Sequence, residues 1–278
     1  MSIEEIIRQA IIEDIGSGDH SSLLSVPHTA QGKAELLLKE NGIIAGVNVA
    51  LQVFEQIDKS LNVTVLIPDG TAVKNGDVVL IMEGKIHSIL MSERLMLNIM
   101  QRMSGIATKT HYFCSLIKGT NAKLLDTRKT TPNLRILEKM AVRIGGGYNH
   151  RMGLYDMIML KDNHIDYAGG IEQAIKKANE YIKNNHLTIP IEIETRSLGE
   201  VEQALSTGGF HRIMFDNFTV ENVKKGVEMV QHRYETEASG NINEQTIRQY
   251  AETGVDFISS GALTHSVNGL DMSLKAIV

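Results

Sequence analysis

The sequence of 278 residues is poor in several residue types: it has one cysteine, no tryptophan, four prolines and 5% aromatic residues. The single cysteine, Cys114, excludes an internal disulfide and a zinc site built from several thiolates. No apolar run approaches the ~18–20 residues that a membrane-spanning helix needs. The formal net charge of −5 argues against a general nucleic-acid binder, because such proteins present a basic face to phosphates. We therefore expect no nucleic-acid or membrane partner, and any anionic ligand requires a local cluster of cations.

The composition is otherwise that of an ordinary folded protein, with 42% hydrophobic and 22% charged residues. The length fits one large domain or two ordinary ones. Glu4 and Glu5 stand where a signal peptide would carry Lys or Arg, and no cleavage site follows. We therefore expect a soluble, cytoplasmic protein.

The first part of the chain has the pattern of an antiparallel β-sheet with helices. Ser2 followed by Glu5 predicts a capped helix that ends near Gly16. Asn41-Gly42 lies between two apolar runs and predicts a hairpin turn. Two further β-type runs, 63–67 and 77–82, extend this region to about residue 85. Long helical periodicity follows over 89–117, with methionines that we interpret as flexible core residues.

Strands and helices alternate after Gly119, which predicts parallel strands joined by crossover helices. The apolar runs begin near Lys123, Met157, Pro190, Arg212, Tyr234 and Val255. Each run ends in charged residues or in Gly and Ser. In an α/β barrel the carboxyl ends of all strands gather on one face, where active sites lie, whereas an open sheet binds ligands mainly at one switch point. Polar ends on six successive strands favour the barrel.

Cationic residues cluster at these strand ends and in the loop after the Gly145-Gly146-Gly147 run. They are Arg128, Lys129, His150, Arg151 and Lys161. Each one alone is better explained as a solvated loop charge. Together, in an acidic protein, they predict a pocket for a ligand with several carboxylates or phosphates, which Arg binds in bidentate fashion and Lys as a point charge.

Two acids end neighbouring strands and are candidates for a divalent cation. Glu194 and Asp216 offer the carboxylate oxygens that Mg²⁺ shares with substrate phosphates. The alternative is helix capping or ion pairing with the nearby cations. We expect Glu192 to point to the opposite side of its strand from Glu194, so that only one of the two serves the site.

Small residues end the last two strands, at Ser239-Gly240 and Ser260-Gly261. Such ends let the backbone approach a ligand, and each precedes a helical segment whose N–H groups bind phosphate. Barrels often carry a phosphate site on their last two strand loops. Plain turns are the alternative.

These residues, in this order, resemble the quinolinate phosphoribosyltransferase family. The resemblance is carried by collinear motifs that span nearly the whole chain. They are Ser92-Glu93-Arg94, Ser104-Gly105-Ile106-Ala107-Thr108, Asp126-Thr127-Arg128-Lys129-Thr130-Thr131-Pro132, Asn149-His150-Arg151-Met152-Gly153-Leu154, Lys161-Asp162-Asn163-His164, Glu192-Ile193-Glu194, Asp216-Asn217, Glu237-Ala238-Ser239-Gly240 and Gly261-Ala262-Leu263-Thr264-His265.

The resemblance implies an α/β protein with an N-terminal α/β sandwich domain over 1–108, which includes the connecting helix. Residues 109–278 would form an incomplete (β/α) barrel, whose C-terminal segment can pack back on the N-terminal domain. The implied activity joins quinolinate to 5-phosphoribosyl 1-pyrophosphate with decarboxylation, in a homodimer whose active sites are shared between subunits. The products are nicotinate mononucleotide, pyrophosphate and CO₂, and the implied pathway is NAD biosynthesis.

The resemblance also assigns roles to residues. Quinolinate would be bound by Arg94 of the partner copy and by Thr127, Arg128, Lys129, His150, Arg151 and Lys161. The 5-phosphate would be bound by Ser239, Gly240, Asn241, Ser260 and Gly261. Mg²⁺ would be held, directly or through water, by Glu194 and Asp216, and the expected catalytic set is Lys129, Lys161, Glu194 and Asp216.

Three positions depart from the family pattern: Asn133, Tyr148 and Asn241. Asn tolerates left-handed backbone geometry, so we expect the first and third to be accommodated. Three other functions stay open: a paralogue from a molybdenum operon that acts on another base, a catalytically silent anion sensor, and a carrier module in the N-terminal region. The two site acids argue against the sensor, and the missing modification lysine argues against the carrier.

Overall fold

The computed structural model describes residues 2–277, which form two compact units. The first unit comprises residues 2–111, 130–146 and 263–277, and the second comprises 112–129 and 147–262. The first unit thus takes up two segments that follow residue 108 in the chain. The last of them contributes a strand to the N-terminal sheet.

Eleven helices and twelve strands are assigned within the described residues. The helices are α1 (Ile3–Ile15), α2 (His20–Ser25), α3 (Val47–Ile57), α4 (Ile86–Leu116), α5 (Arg135–Ile144), α6 (Asp162–Ala168), α7 (Ile171–Asn184), α8 (Leu198–Thr207), α9 (Val220–Val230), α10 (Ile247–Ala251) and α11 (Ala262–His265). The strands are β1 (Gln31–Leu38), β2 (Gly42–Ile43), β3 (Asn62–Val65), β4 (Ala72–Val73), β5 (Val78–Lys85), β6 (Lys123–Leu125), β7 (Ile158–Leu160), β8 (Ile191–Thr195), β9 (Arg212–Asp216), β10 (Glu235–Ser239), β11 (Phe257–Ser259) and β12 (Met272–Ile277).

The first unit is built on an antiparallel sheet of four strands in the order β12-β1-β5-β3. Along β1 the alternate residues Ala34, Leu36 and Leu38 are buried, as the period of two in a strand requires. They pack with Met96 and Met100 of α4 in one hydrophobic core. The interpretation of the α4 methionines as core residues is confirmed for Met96, Met100 and Met103, whereas Met91 is partly exposed.

The predicted hairpin at Asn41-Gly42 is wrong. Strand β2 starts at Gly42 but pairs with β4, Gly42 opposite Val73, while β1 pairs with β5 and β12. Asn-Gly favours a tight turn locally, but the partner of each strand is chosen by long-range packing. The N-terminal helix is confirmed, since the Ser2 side chain accepts a hydrogen bond from the Glu5 N–H at 3.2 Å.

The second unit is built on six parallel strands in the order β6-β11-β10-β9-β8-β7. Strands β7 to β11 lie side by side in chain order, and the last of them pairs with the first, β6. This cyclic order is that of a barrel. Within the described residues β6 and β7 do not pair, so the barrel is incomplete. The six strands begin within two residues of the predicted starts.

A short segment before β7 covers the free edge of β6. Tyr148 forms a parallel bridge with Leu125, its N–H donates to the Leu124 carbonyl at 2.8 Å, and its carbonyl accepts from the Asp126 N–H at 3.1 Å. Residues 148–151 are thereby held beside the carboxyl end of β6. None of the helices within 2–277 combines the length and the hydrophobicity that a membrane-spanning segment needs.

Candidate active site at the carboxyl ends of the barrel strands

The carboxyl ends of the parallel strands in the second unit carry the predicted site residues except Arg94, His150 and Arg151, and the last two lie in the segment 148–151 beside the end of β6. Thr127, Arg128 and Lys129 follow β6, and Lys161 follows β7. Glu194, Asp216 and Ser239 lie at the ends of β8, β9 and β10, and Ser260 follows β11. Because all six strands run in the same direction, these residues share one face of the barrel. Arg94 lies exposed on α4 in the first unit.

Two arginines approach each other at this face. Arg151 is buried, and one guanidinium N–H donates to the Met157 carbonyl at 3.1 Å. Burial and then the positive charge of Arg128 lower the pKa of Arg151. The negative charges of Glu192 and Glu194 act in the opposite direction. A dianionic ligand would relieve the repulsion between the two guanidinium groups, which suits the predicted dicarboxylate.

An ion pair joins two further predicted residues beside the arginines. The Lys161 ammonium lies 3.1 Å from the Glu194 carboxylate. Burial raises the pKa of Glu194, Lys161 opposes the shift, and the neighbouring charge of Asp216 adds to it. Glu194 and Asp216 therefore interact electrostatically from adjacent strands. Two carboxylates that repel each other at a partly exposed strand end fit a hard divalent cation such as Mg²⁺.

Asp216 is held by a chain of amide hydrogen bonds. The Asn217 amide donates to its carboxylate at 2.8 Å, and the Asn241 amide donates to the Asn217 side-chain oxygen at 3.1 Å. The Asn217 N–H donates to the Ser239 carbonyl at 2.9 Å. Gly240 packs on Asn217 so closely that a Cβ there would lie 2.8 Å from the Asn217 nitrogen. The ends of β9 and β10 therefore form one tightly packed corner.

The remaining predicted residues have local contacts. The Thr127 hydroxyl accepts a hydrogen bond from the Lys129 N–H at 3.1 Å, and the Lys129 side chain is exposed. Ser260 is buried, with its N–H donating to the Leu125 carbonyl at 3.0 Å. Gly261, which follows it, is partly exposed.

His150 directs its ring into the barrel. The ring Nδ1 accepts a hydrogen bond from the Arg151 N–H at 2.7 Å. The ring Nε2 lies 3.0 Å from the Glu192 carboxylate and 3.4 Å from that of Glu237. Arg212 binds Glu237 from below at 3.0 Å. Nδ1 thus accepts a hydrogen bond from the main chain, and Nε2 faces two carboxylates.

The charged residues beneath His150 were not among the predicted site residues. We call Glu192, Glu237 and Arg212 the floor cluster. The expectation that Glu192 points away from Glu194 is wrong, because side chains two positions apart in a strand lie on the same face. Both glutamates of the cluster are fully buried. A signal was present in the sequence: charged residues at alternate positions of strands that must be buried in a barrel.

One proton is shared within this region. Burial raises the pKa of Glu192 to about 7, and the charge of Glu237 adds to the shift. Burial disfavours a proton on His150, and the two neighbouring carboxylates favour it. Since the Arg151 N–H points at Nδ1, that nitrogen is an acceptor, and the ring carries its proton on Nε2, facing the two glutamates.

Comparison with known proteins identifies the family of this chain. Residues 19–104 match the N-terminal domain of the quinolinate phosphoribosyl transferase family, and residues 106–275 match its C-terminal domain. The chain belongs to this family.

Relatives from distant organisms agree with this assignment. The chain is 46% identical to the chloroplastic nicotinate-nucleotide pyrophosphorylase [carboxylating] of Arabidopsis thaliana, over 98% of this chain and 82% of the relative. It is 39% identical to the probable enzyme of the same name from Bacillus subtilis, over 99% and 93%. The solved structure of NadC from Streptococcus pyogenes is 39% identical and covers 99% of this chain and 97% of its own, with a TM-score of 0.93. The family resemblance and the mixed α/β fold predicted from the sequence are confirmed.

Two departures from the family pattern have a structural explanation. Asn133 and Asn241 both have positive φ, 67° and 51°. Asn adopts this left-handed conformation more readily than most residues. The expectation that both positions accommodate Asn is confirmed.

Proposed function

We propose that this chain is a carboxylating nicotinate-nucleotide pyrophosphorylase, which transfers the phosphoribosyl group of 5-phosphoribosyl 1-pyrophosphate to quinolinate and releases pyrophosphate and CO₂. Relatives 39–46% identical over nearly the whole chain carry this name. The single observation in the molecule that carries the proposal is the electrostatic interaction of Arg151 with Arg128 and with Glu194, which is paired with Lys161. The arginines suit an acceptor with two carboxylates, and the carboxylates of Glu194 and Asp216 suit a phosphorylated donor with its divalent cation.

The acceptor is bound by the cations. Arg128 and Arg151 would hold the two carboxylates of quinolinate, because a guanidinium group presents parallel N–H donors to a carboxylate. Lys161 would add a point charge next to the ring. Holding the ring nitrogen against the ribose C1 is the main contribution that the protein makes, since the reaction needs positioning more than acid–base chemistry.

The donor is bound by the acids and the small residues. Glu194 and Asp216 would hold Mg²⁺, which would supply positive charge to offset that of the departing pyrophosphate. Ser239, Gly240 and Asn241 would bind the 5-phosphate, as would Ser260 and Gly261. As pyrophosphate leaves, positive charge grows on the ribose ring, and the two carboxylates stabilise it.

Decarboxylation follows from the chemistry of the acceptor. The quinolinate nitrogen forms a bond to the ribose C1 as the bond from C1 to the pyrophosphate oxygen breaks. The adjacent ring carboxylate then leaves as CO₂, and its bonding electron pair remains on the ring carbon next to the positive nitrogen. A proton from solvent completes nicotinate mononucleotide. No dedicated base is needed for this sequence.

The direct test is an assay of purified protein with ¹⁴C-carboxyl-labelled quinolinate. We expect CO₂ release and nicotinate mononucleotide only when the ribosyl donor and Mg²⁺ are both present. Nicotinate in place of quinolinate distinguishes paralogues that act on another base. Calorimetry that detects donor binding without turnover would support the anion-sensor alternative and refute the enzyme.

The role of Arg128 is tested by Arg128→Ala. Loss of a charge-assisted contact costs about 1.5–3 kcal/mol, so kcat/KM for quinolinate should fall roughly 10- to 150-fold. Arg143→Ala is the control, because Arg143 is an exposed arginine on α5 outside the predicted set. An unchanged rate for Arg128→Ala would remove this residue from the site.

We further propose a homodimer in which Arg94 of each copy completes the site of the other. The exposure of Arg94 supports this role. Arg94→Ala and Arg128→Ala proteins, each inactive or weak alone, should regain activity when subunits are exchanged between them, because one site of the hybrid dimer is intact. Mixtures that stay as inactive as their components would refute the shared site.

We also place the enzyme in the cytoplasm. The plant relatives include chloroplastic and mitochondrial proteins by name. Activity in the cytosolic fraction of the source cells is the expected result, and activity confined to an organelle fraction would contradict it.

A further inference from the structure

The floor cluster lies below the predicted substrate site and has no role in the mechanism above. Glu192 and Glu237 are 0% exposed, and the Arg212 side chain is mostly buried. Burying charges is costly, and paired buried charges are rarely more stabilising than apolar residues of the same size. A structural role alone therefore gives a weak reason for three such groups inside one barrel.

Arg212 holds the floor cluster in place through several contacts. One Arg212 N–H donates to Glu237 at 3.0 Å, and another donates to Glu235 at 2.9 Å. The Arg212 guanidinium also lies 4.0 Å from the centre of the Phe257 ring. These contacts fix Arg212, which in turn fixes the carboxylate of Glu237 beneath His150.

His150 connects the floor cluster to the segment 148–151, which carries Arg151. The Arg151 N–H can only donate a hydrogen bond, so Nδ1 of the ring carries a lone pair. The ring proton is then on Nε2, which lies 3.0 Å from the Glu192 carboxylate and 3.4 Å from the Glu237 carboxylate. The His150 N–H donates to the Asp126 carboxylate at 2.8 Å, which ties the same loop to the end of β6.

His150, Glu192 and Glu237 also have the composition of a metal site, and their ligand atoms lie within 4.8 Å of one another. Two features argue against that function. Nε2 carries the proton and has no lone pair for a metal, and Arg212 already supplies a positive charge to Glu237. The arrangement of the two glutamates around the His150 ring instead suits a rigid support for the segment 148–151.

We propose that Glu192, Glu237 and Arg212 are positioning residues that act through His150 on Arg151. The glutamates fix the orientation of the imidazole ring, and the ring holds the Arg151 main chain so that its guanidinium meets a carboxylate of the acceptor. This inference rests on the proposed function, because it assigns Arg151 to quinolinate. His150 then serves the substrate through Arg151 and not by direct contact.

The test is a double-mutant cycle with Glu237→Gln and Arg151→Ala, read by quinolinate and donor kinetics. Glu237→Gln alone should raise KM for quinolinate on the order of tenfold, because small displacements of a binding group have effects of this size or larger. KM for the ribosyl donor should change less than twofold. In the Arg151→Ala background, Glu237→Gln should have no further effect on quinolinate, since the group it positions is gone.

A merely structural role predicts a different pattern. It would lower thermal stability and alter both KM values together, and its effects would add to those of Arg151→Ala. Additive effects, or an unchanged KM for quinolinate in Glu237→Gln, would overturn the proposal. Glu252→Gln is the control, because it changes the same residue type in an exposed pair with Arg248 of the same unit.

A second variant and an NMR measurement complete the test. If Glu237→Gln fails to fold, Glu192→Gln enters the same cycle, since it removes the nearer carboxylate of the ring. In wild-type protein, ¹⁵N NMR of His150 should show a neutral ring protonated at Nε2, and a proton on Nδ1 would overturn the argument. Wild-type protein without turnover of quinolinate would refute the proposed function instead, which separates the two failures.

Discussion

The contact between Gly240 and Asn217 tests the proposed donor site. Gly240 has φ of 95°, a conformation that L side chains rarely adopt. A Cβ at this position would lie 2.6 Å from the Asn217 Cγ and 2.8 Å from its backbone nitrogen. Gly240→Ala therefore introduces both backbone strain and a clash with the residue that holds Asp216.

The two effects can be given separate magnitudes. A left-handed conformation costs an ordinary residue about 1–2 kcal/mol, and the loss of Gly entropy in the unfolded chain offsets part of it. Overpacking of a tight site adds about 1–3 kcal/mol. We expect Gly240→Ala to lower the free energy of unfolding by about 3 kcal/mol in total.

Gly76→Ala is the matched control. Gly76 has φ of 93°, close to that of Gly240, but nothing lies within 4 Å of its added Cβ. This substitution carries the strain without the clash and should cost about 1 kcal/mol. The difference between the two variants isolates the contact with Asn217.

The assays are urea denaturation and steady-state kinetics on both variants. Displacement of Asn217 weakens its hydrogen bond to Asp216, so Gly240→Ala should raise KM for the ribosyl donor on the order of tenfold. Gly76→Ala should leave it unchanged. Equal losses of stability in the two variants, with normal donor kinetics in Gly240→Ala, would refute the reasoning.

Three further outcomes are expected. Arg102→Met leaves the buried carboxylate of Glu138, which lies 2.7 Å from Arg102, without its cation, and urea denaturation should show a loss of about 3 kcal/mol. Leu36→Ala opens a cavity in the core of the first unit and should cost about 2–5 kcal/mol by the same measurement, whereas Leu24→Ala, at a side chain 91% exposed, should cost almost nothing. Burial and the charge of Glu237 raise the pKa of Glu192 to about 7, so the folded state binds more protons than the unfolded chain between pH 4.5 and 7. Stability should therefore fall as pH rises through this range. Denaturation curves at pH 5 and pH 8 should show this fall in wild-type protein and lose most of it in Glu192→Gln; parallel curves would contradict the assignment.

Much of the second unit follows from the sequence because its signals are local. Each parallel strand is a short apolar run with a polar end, and each is followed by a helical segment. These features fix the direction of every strand, and parallel direction alone brings Arg128, Lys161 and Glu194 to one face. The collinear motifs then identify the family, which the comparisons confirm.

The antiparallel sheet was less predictable. Strand β1 pairs with β12, Leu36 opposite Leu274, across most of the chain length. Turn residues such as Asn41-Gly42 report only local preference. The choice among several compatible strands depends on which faces must be buried together, and a pattern of apolar residues does not distinguish between partners.

The sequence by itself determined the alternation of strands and helices, the face that carries the candidate site and the residue types gathered there. Only the tertiary structure decided what lies beneath that face. Arg212, Glu192 and Glu237 come from three strands, and their meeting under His150 depends on the register between neighbouring strands. Register and burial are properties of residues distant in the chain, and the pKa of a buried group follows from its neighbours in space, so neither can be obtained from any single segment.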